Sequence, residues 1–201
     1  MTVSVVNYGL GNLGSVVNML KRVGSEVRLV STPDEVLNSD RLLLPGIGAF
    51  DMGMGLLDQQ ELTPAIKEFA TSGKPILGIC LGMQLLLDSS EEGVLTGLGL
   101  IPGSSVRLPD LPGLRVPHMG WNHVTMQKHD PLVADLPEES RFYFVHSYRV
   151  VPQNDDDVLG ITQYGVPIVS MVRCGNVMGA QFHPEKSHAF GKQIFKSFAN
   201  L

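Results

Sequence analysis

Residues 75–87 read Pro-Ile-Leu-Gly-Ile-Cys-Leu-Gly-Met-Gln-Leu-Leu-Leu and contain the pattern that decides the fold. The apolar run at 75–79 predicts a buried strand, and residues 83–87 predict the opening of the helix after it. Cys80 lies at the junction with a glycine two positions away on each side, which copies the G-x-S-x-G nucleophile elbow with sulfur in place of oxygen. Such an elbow is a tight strand-to-helix turn that projects its nucleophile into a cleft.

The residues before this stretch alternate short apolar runs with helical periodicity. Strands are predicted at 3–7, 26–30 and 41–44. Apolar residues recur at helical spacing between residues 13 and 23, and Thr-Pro-Asp-Glu at 32–35 predicts a capped helix after the second strand. This alternation predicts an α/β fold with a mainly parallel central sheet flanked by helices.

The second half is richer in glycine and proline and predicts shorter strands, at 142–145, 158–162, 168–172 and 177–182. Phenylalanine and isoleucine side chains then recur at helical spacing, which predicts a closing helix at 188–200 that packs on the core. We therefore expect extra strands beside the parallel sheet.

Size and composition narrow the class of protein. The 201 residues suit one domain spanning 1–201, and the 43% hydrophobic and 17% charged residues are typical of a folded chain. The net charge of -5 argues against a nucleic-acid partner, because phosphate binding needs clustered lysine and arginine. The longest mainly apolar stretch, 75–87, is too short to span a bilayer, so no membrane association is expected.

Cysteine usage favours a reducing compartment. Cys80 and Cys174 are too few for a disulfide framework, and their separation matches no zinc pattern. The N-terminus has no basic region ahead of its apolar run, so no signal peptide is predicted. We expect a cytoplasmic protein without a metal site.

Cys80 is the candidate nucleophile. The start of a helix favours the thiolate form through the positive end of the helix dipole. A lone cysteine is more often a buried structural residue, but the elbow context favours catalysis here. Cys174 lacks that context and is expected in the core.

The segment Gln-Phe-His-Pro-Glu at 181–185 supplies a candidate base and its orienting carboxylate. Side chains two apart on an extended segment point the same way, so His183 and Glu185 share one face. One imidazole nitrogen then meets Glu185 and the other meets Cys80, which gives a Cys-His-Glu triad. The remaining histidines are expected to be structural: His118, His123, His129, His146 and His188.

Cleavage of an amide by a thiolate needs hydrogen-bond donors for the oxyanion. The backbone N–H of Leu81 is one candidate, because it follows the nucleophile of the elbow. Gly46, Ile47 and Gly48 follow a predicted strand and are candidates for the second donor, although these glycines would equally well end that strand. Gln84 lies one helical turn beyond the cysteine, so its amide is placed to contact a small polar substrate.

The glycine pattern at 9–14, Gly-Leu-Gly-Asn-Leu-Gly, also satisfies the G-x-G-x-x-G fingerprint of dinucleotide-binding domains. That fingerprint expects an acidic residue about 20 positions on, at the end of the second strand. Ser31 occupies that place, and Asp34 belongs to the capped helix. A nucleotide-binding module is therefore a minor alternative.

Together these residues resemble the class I glutamine amidotransferases, which carry a cysteine elbow and a later His-x-Glu on a flavodoxin-like α/β sheet. Within that class, the flanking motifs are similar to those of the glutaminase subunits of imidazole glycerol phosphate synthase. The motifs are Asn-Tyr-Gly at 7–9, Leu-Pro-Gly-Ile-Gly-Ala-Phe at 44–50, Pro-His-Met-Gly-Trp-Asn at 117–122, Tyr-Phe-Val-His-Ser-Tyr at 143–148 and Phe-His-Pro-Glu-Lys-Ser at 182–187.

The resemblance implies hydrolysis of L-glutamine to glutamate and ammonia without a cofactor. It further implies a heterodimer with a cyclase subunit, a (β/α)8 barrel, which uses the ammonia in histidine biosynthesis to form imidazole glycerol phosphate and aminoimidazole carboxamide ribotide. By the same resemblance, Ser147 and Tyr148 hold the glutamine backbone by main-chain contacts, and Gln84 lines the pocket. The residues implied to face the partner are Asn12, Trp121, Asn122 and Lys186. For Trp121, a half-buried aromatic side chain is an equally simple interpretation.

Two other enzymatic interpretations are compatible with the triad alone. A glutaminase of another synthase, such as anthranilate or pyridoxal phosphate synthase, would use the same triad, because the triad does not name the acceptor of the ammonia. The flanking motifs argue against it. The other interpretation is a cysteine hydrolase or peptidase that acts without a partner.

Overall fold

Residues 2–201 are described by the computed structural model, with helices and strands alternating in the first half and strands dominating the second. The strands are β1 (Thr2–Val6), β2 (Glu26–Val30), β3 (Leu42–Gly46), β4 (Ile76–Cys80), β5 (Ser89–Ser90), β6 (Gly103–Arg107), β7 (His118–His123), β8 (Thr125–Met126), β9 (Arg141–His146), β10 (Tyr148–Pro152), β11 (Val158–Tyr164), β12 (Val166–Cys174) and β13 (Val177–Ala180). The helices are α1 (Leu13–Arg22), α2 (Pro33–Leu37), α3 (Phe50–Gln59), α4 (Leu62–Thr71), α5 (Leu81–Leu85) and α6 (His188–Asn200). Short 3-10 turns occupy Asp155–Asp157 and Pro184–Lys186.

The centre of the molecule is a parallel sheet in the order β2-β1-β3-β4-β13. This order is that of flavodoxin-like doubly wound sheets, so the predicted fold class is confirmed. Every residue of β3 and β4 is buried, as expected for parallel strands covered on both faces. The carboxyl ends of β3, β4 and β13 lie side by side, at the edge where α/β sheets bind ligands.

Antiparallel strands extend the sheet beyond β13. Strand β12 pairs with β13, β10 with β12 and β6 with β10, all antiparallel. A separate antiparallel pair, β7 with β9, places His118 opposite His146. The predicted extra strands of the second half are therefore present.

Apolar side chains cover both faces of the parallel sheet. Leu44 of β3 lies in one cluster with Phe50 of α3 and Phe69 of α4. Its neighbour Leu43 lies in the other cluster with Phe195 of α6. Successive strand residues point to opposite faces, so a single strand such as β3 anchors helices on both sides.

Three predicted boundaries near the site are corrected. Strand β3 continues to Gly46 instead of ending at residue 44, because Gly46 pairs in register with Cys80 of β4. Helix α5 begins directly after Cys80, not at Met83. It is short because backbone N–H groups of residues 98–101 donate to the carbonyls of residues 85–87, which a longer helix would use for its own hydrogen bonds. Strand β13 ends two residues early, since the N–H of His183 bonds to β9 instead of continuing the parallel sheet.

Helices α3 and α4 were not predicted. Helix α3 contains two glycines, which are poor helix formers. One of them, Gly53, packs against α5 so closely that a β-carbon at this position would lie 3.1 Å from the Leu85 side chain. Tertiary packing therefore overrides local propensity in α3. No helix within residues 2–201 has the length and apolar character to cross a membrane.

Candidate active site

Cys80 ends β4 in a strained backbone conformation, with φ 55° and ψ -111°. The glycines on either side are required for a different reason, namely close packing. A β-carbon on Gly78 would lie 2.6 Å from the carbonyl oxygen of Gly82, and one on Gly82 would overlap the carbonyl oxygen of Leu44. The strand-turn-helix geometry predicted around Cys80 is present, with the cysteine itself taking the positive φ.

Cys80 is 7% exposed and lines a cavity of about 330 Å³, within the range of small-molecule sites. His183 lines the same cavity, so the structure brings the predicted nucleophile and base together. The other residues along its wall are Ile47, Gly48, Leu81, Gln84, Glu92, Pro117, Val145, His146, Ser147, Tyr148 and Lys186.

His183 and Glu185 form a buried pair, with 2.7 Å between Nδ1 of the imidazole and Oε1 of the carboxylate. Their side chains are only 2% and 3% exposed. The backbone differs from the extended segment that was predicted, because a 3-10 turn starts at Pro184 directly after His183. The turn folds Glu185 back onto the imidazole, so the contact arises from a turn and not from alternation along a strand.

The environment of His183 favours its charged form. Burial by itself lowers the pKa, but Cys80 and Glu185 together outweigh burial and raise the pKa of His183 to about 9. Nε2 of the ring is buried and makes no hydrogen bond of ordinary geometry with any group in residues 2–201. At neutral pH the site therefore holds an imidazolium beside Cys80. Helix α5 has only five residues, so the helix dipole proposed from the sequence is small at Cys80.

The backbone around His183 is tied to β9. The N–H of His183 donates to the carbonyl of Tyr143 at 2.9 Å. The Ser187 hydroxyl donates to the carbonyl of His183 at 2.6 Å and accepts from the N–H of Tyr143 at 3.0 Å. These three bonds set where the imidazole enters the cavity.

The predicted oxyanion residues do not all reach the cavity. Leu81, Ile47 and Gly48 line it, whereas Gly46 lies in β3, paired with Cys80. A β-carbon on Gly46 would lie 2.8 Å from the hydroxyl oxygen of Tyr8. Gly46 is thus a close-packing position, and only Ile47 and Gly48 of this segment line the cavity.

The class-I glutamine amidotransferase family model matches residues 4–200. The chain belongs to this family. The HisH 2 subunit of imidazole glycerol phosphate synthase from Pseudomonas aeruginosa is 46% identical over 198 residues, covering 98% of each chain. The HisH subunit from Streptococcus sanguinis is 49% identical over 196 residues, covering 96% of this chain and 93% of the relative. The solved structure of PurLQS from Thermotoga maritima shares the fold, with a TM-score of 0.78 at 24% identity over 99% of this chain and 97% of that one.

At these identities the amidotransferase falls among the HisH subunits of imidazole glycerol phosphate synthase, and the resemblance drawn from its motifs is confirmed. In the glycine-rich loop at residues 9–14, which suggested the nucleotide-binding alternative, backbone conformation and packing favour glycine at two positions. Gly9 and Gly11 have φ values of 96° and 105°. A β-carbon on Gly11 would lie 3.2 Å from the Pro45 ring.

The predicted substrate contacts Gln84, Ser147 and Tyr148 all line the cavity of the amidotransferase. Nε2 of Gln84 donates to the Tyr148 carbonyl at 3.2 Å and to Oε1 of Gln181 at 3.1 Å. Because both N–H groups of Gln84 bond within the protein, its amide oxygen is the atom left to meet a substrate.

Two residues near the predicted set, Glu92 and Gln181, were not found from the sequence. Glu92 lines the cavity, and its Oε2 accepts from the N–H of Phe50 at 2.8 Å. Gln181 is fully buried, with Nε2 3.9 Å from the sulfur of Cys80. Gln181 lies in the predicted strand at 177–182, two residues before His183, so the alternation of side chains expected there is the signal that would have found it.

The residues implied to face a partner lie at three places. Lys186 lines the cavity, and its Nζ lies 5.7 Å from the centre of the Tyr143 ring. Trp121 is 44% exposed and stacks on His188 with 5.3 Å between ring centres. Asn122 donates to the carbonyl of Gln163 at 3.0 Å, and Asn12 caps α1. Their contacts with a partner stay predictions.

Proposed function

We propose that this amidotransferase hydrolyses L-glutamine through Cys80 as nucleophile, His183 as proton carrier and Glu185 as its orienting carboxylate. The observation that carries the proposal is the meeting of these three side chains: Cys80 and His183 share one cavity, and Glu185 holds the far side of the imidazole at 2.7 Å. Membership of the class-I family supports the same chemistry. Residues 1–201 would act as one glutaminase domain in the cytoplasm.

The first half-reaction forms a thioester. The thiolate of Cys80 attacks the carbon of the glutamine side-chain amide, forming a C–S bond and an oxyanion. The imidazolium of His183 then gives its Nε2 proton to the amide nitrogen, the C–N bond breaks, and ammonia leaves. Glu185 keeps the proton on Nδ1, so that Nε2 is the nitrogen that exchanges protons with the substrate.

The second half-reaction restores the enzyme. Neutral His183 accepts a proton from a water molecule as the water oxygen attacks the thioester carbon. The C–S bond breaks, glutamate leaves, and the thiolate and imidazolium are restored. The oxyanion of both steps would be held by the N–H of Leu81 and by a backbone N–H from Ile47 or Gly48, all of which border the cavity.

The ammonia is proposed to pass to a cyclase subunit, a (β/α)8 barrel, in a heterodimer that makes imidazole glycerol phosphate. A patch beside the cavity supports this interface: Lys186 lies over the Tyr143 ring, and Trp121 packs edge-on to the same ring with 6.1 Å between centres. A half-exposed tryptophan next to a cavity mouth is a typical anchor of a protein interface. Asn12 and Asn122 are proposed to complete it.

A glutaminase assay with and without the cyclase and its nucleotide ligand tests this function. We expect glutamate production in the complex, and loss of it by at least about 10⁴-fold in Cys80→Ala, with the complex still forming. Cys174→Ala is the matched control and should keep the wild-type rate, because Cys174 does not line the cavity. Full glutaminase activity in Cys80→Ala would exclude the proposed nucleophile. Equal turnover without the cyclase would favour the partner-independent hydrolase.

A further inference from the structure

Two histidines outside the triad lie buried beside the cavity. His118 on β7 is 2% exposed and His146 on β9 is 5% exposed. They face each other across the antiparallel β7 and β9 pair, with 3.0 Å between Nδ1 of His118 and Nε2 of His146. We name them the histidine pair. His146 also lines the cavity, which makes the pair part of its wall.

The hydrogen bonds of the histidine pair have only one consistent order. Nδ1 of His146 lies 2.8 Å from the carbonyl oxygen of Tyr148, which only accepts, so this nitrogen carries a proton. In a neutral ring Nε2 of His146 must then accept, and Nδ1 of His118 donates to it. Nε2 of His118 is left as an acceptor, and Nδ2 of Asn122 lies 3.4 Å away as its donor. Each group thus donates to the next along the chain of hydrogen bonds from Asn122 through His118 and His146 to the Tyr148 carbonyl.

The surroundings keep both rings neutral. Burial lowers the pKa of His118 to about 4 and that of His146 to about 3, and the nearby imidazolium of His183 also disfavours charge on His146. His118 is further held between two aromatic rings, with ring centres 4.6 Å from Phe144 and 3.9 Å from Tyr164. The order of donors is therefore fixed at physiological pH.

The chain of bonds ends on the part of the cavity wall formed by Ser147 and Tyr148, which we name the binding edge. The Tyr148 carbonyl accepts from His146 and also from Nε2 of Gln84, at 2.8 Å and 3.2 Å. Two buried donors thus fix one peptide group of the edge. A displaced carbonyl here would move the backbone that the proposed function assigns to the α-amino and α-carboxylate groups of glutamine.

We propose that the histidine pair is a positioning element for glutamine binding, which holds the Tyr148 carbonyl and so sets the binding edge. The inference rests on the proposed function and deepens it. Its hydrogen bonds lead to the binding edge and not to the triad, so its loss affects glutamine affinity more than chemistry at Cys80.

Graded variants separate this role from general support of the fold. His146→Leu removes both hydrogen bonds, whereas His146→Asn keeps a donor near the position of Nδ1. His118→Phe keeps the stacking between Phe144 and Tyr164 but leaves Nε2 of His146 without its donor. His129→Asn, on an exposed loop, is the control.

In the complex with the cyclase, we expect His146→Leu to raise KM for glutamine about 10- to 100-fold, with kcat changed less than about 3-fold. His146→Asn and His118→Phe should raise KM less, and His129→Asn should not raise it. Alkylation of Cys80 gives a second readout. A diazoketone analogue of glutamine should react about 10-fold more slowly with His146→Leu, while iodoacetamide, which does not need the binding edge, should react at the wild-type rate.

An unchanged KM in His146→Leu, or an equal loss of rate with both alkylating reagents, would overturn the inference. If His146→Leu does not fold, His118→Phe decides: a raised KM supports the positioning role and an unchanged KM refutes it. Failure of the proposed function itself looks different, because the wild-type complex would then release no glutamate from glutamine.

Discussion

The nucleophile turn (residues 78–82) and the base turn (residues 183–187) meet at one cavity but are held by different kinds of contact. In the nucleophile turn, backbone atoms of β3, β4 and α5 lie so close that Gly78 and Gly82 have no room for a side chain. Cys80, between these two crowded glycines, takes a positive φ of 55°. The base turn is held by hydrogen bonds: two join it to Tyr143 of β9, and a third, from the Ser187 hydroxyl to the carbonyl of His183, closes the turn itself.

This difference predicts how strongly each half of the site responds to substitution. The repulsive energy between overlapping atoms rises steeply as they approach, so substitutions in the nucleophile turn should remove stability and activity almost completely or not at all. A hydrogen bond contributes about 1 kcal/mol net to the free energy of unfolding, so substitutions in the base turn should cause partial losses of stability and rate. The nucleophile turn therefore stores strain, while the base turn sets orientation and charge.

The largest effect is expected for Gly82→Ala. Its β-carbon would overlap the Leu44 carbonyl oxygen, and Leu44 is paired in register with Gly78 of β4, so relieving the overlap would displace α5 or the paired strands. We expect a loss of at least about 3 kcal/mol in the free energy of unfolding and no measurable glutaminase activity. Denaturant unfolding and the coupled glutaminase assay measure both.

Gly55→Ala is the matched control, because a β-carbon at this helical position of α3 meets nothing within 4 Å. It should stabilise the protein by about 0.5 to 1 kcal/mol. Equal stability of Gly82→Ala and wild type would show that sterics do not shape the nucleophile turn.

Glu185→Gln should have the next largest effect. It removes the carboxylate that favours the imidazolium, so kcat should fall about 10²- to 10⁴-fold. Glu185 is one of the groups that raise the pKa of His183 to about 9, so its loss lowers that pKa. Activity needs the imidazolium and is lost as pH rises through this pKa, so the alkaline limb of kcat/KM should move to lower pH.

The control for this variant is Glu68→Gln, at an exposed position on α4. It should keep the wild-type kcat and the wild-type pH profile of kcat/KM. An alkaline limb that stays in place in Glu185→Gln would remove Glu185 as a cause of the raised pKa.

Ser187→Ala should have the smallest effect. It leaves the carbonyl of His183 and the N–H of Tyr143 without their hydroxyl partner. We expect a loss of about 1 to 3 kcal/mol in unfolding free energy and a fall in kcat of about 3- to 10-fold, since the base turn loosens without collapsing. Ser15→Ala, whose side chain is partly exposed on α1, should change neither quantity. An all-or-none loss in Ser187→Ala would erase the contrast between the two turns.

The parts of the fold and site that could be predicted from the sequence are those whose contacts join residues close together in the chain. The nucleophile turn was recognised because its determinants lie within five residues of Cys80. The closing helix was predicted with its observed bounds, His188–Asn200, because its apolar spacing is regular. The pairing of His183 with Glu185 was predicted from their spacing, although the turn that produces it was not.

The unpredicted contacts depend on chain segments far apart in sequence. The histidine pair joins residues 28 positions apart across β7 and β9, and nothing local marks which strands pair. Glu92 reaches the start of α3 from 42 positions away. Gly46 was not expected in a strand, because pairing with β4 sets the end of β3 and extends it two residues past the predicted end at residue 44.

Covalent labelling tests the central claim most directly. The wild-type complex is treated with the diazoketone analogue of glutamine, with and without excess glutamine, and the labelled peptide is identified by mass spectrometry. We expect one label, on Cys80, that glutamine prevents, while the partly exposed Cys174 stays unmodified. Labelling of Cys174 instead, or labelling of Cys80 that glutamine does not slow, would contradict the assignment of this cavity as the glutaminase site.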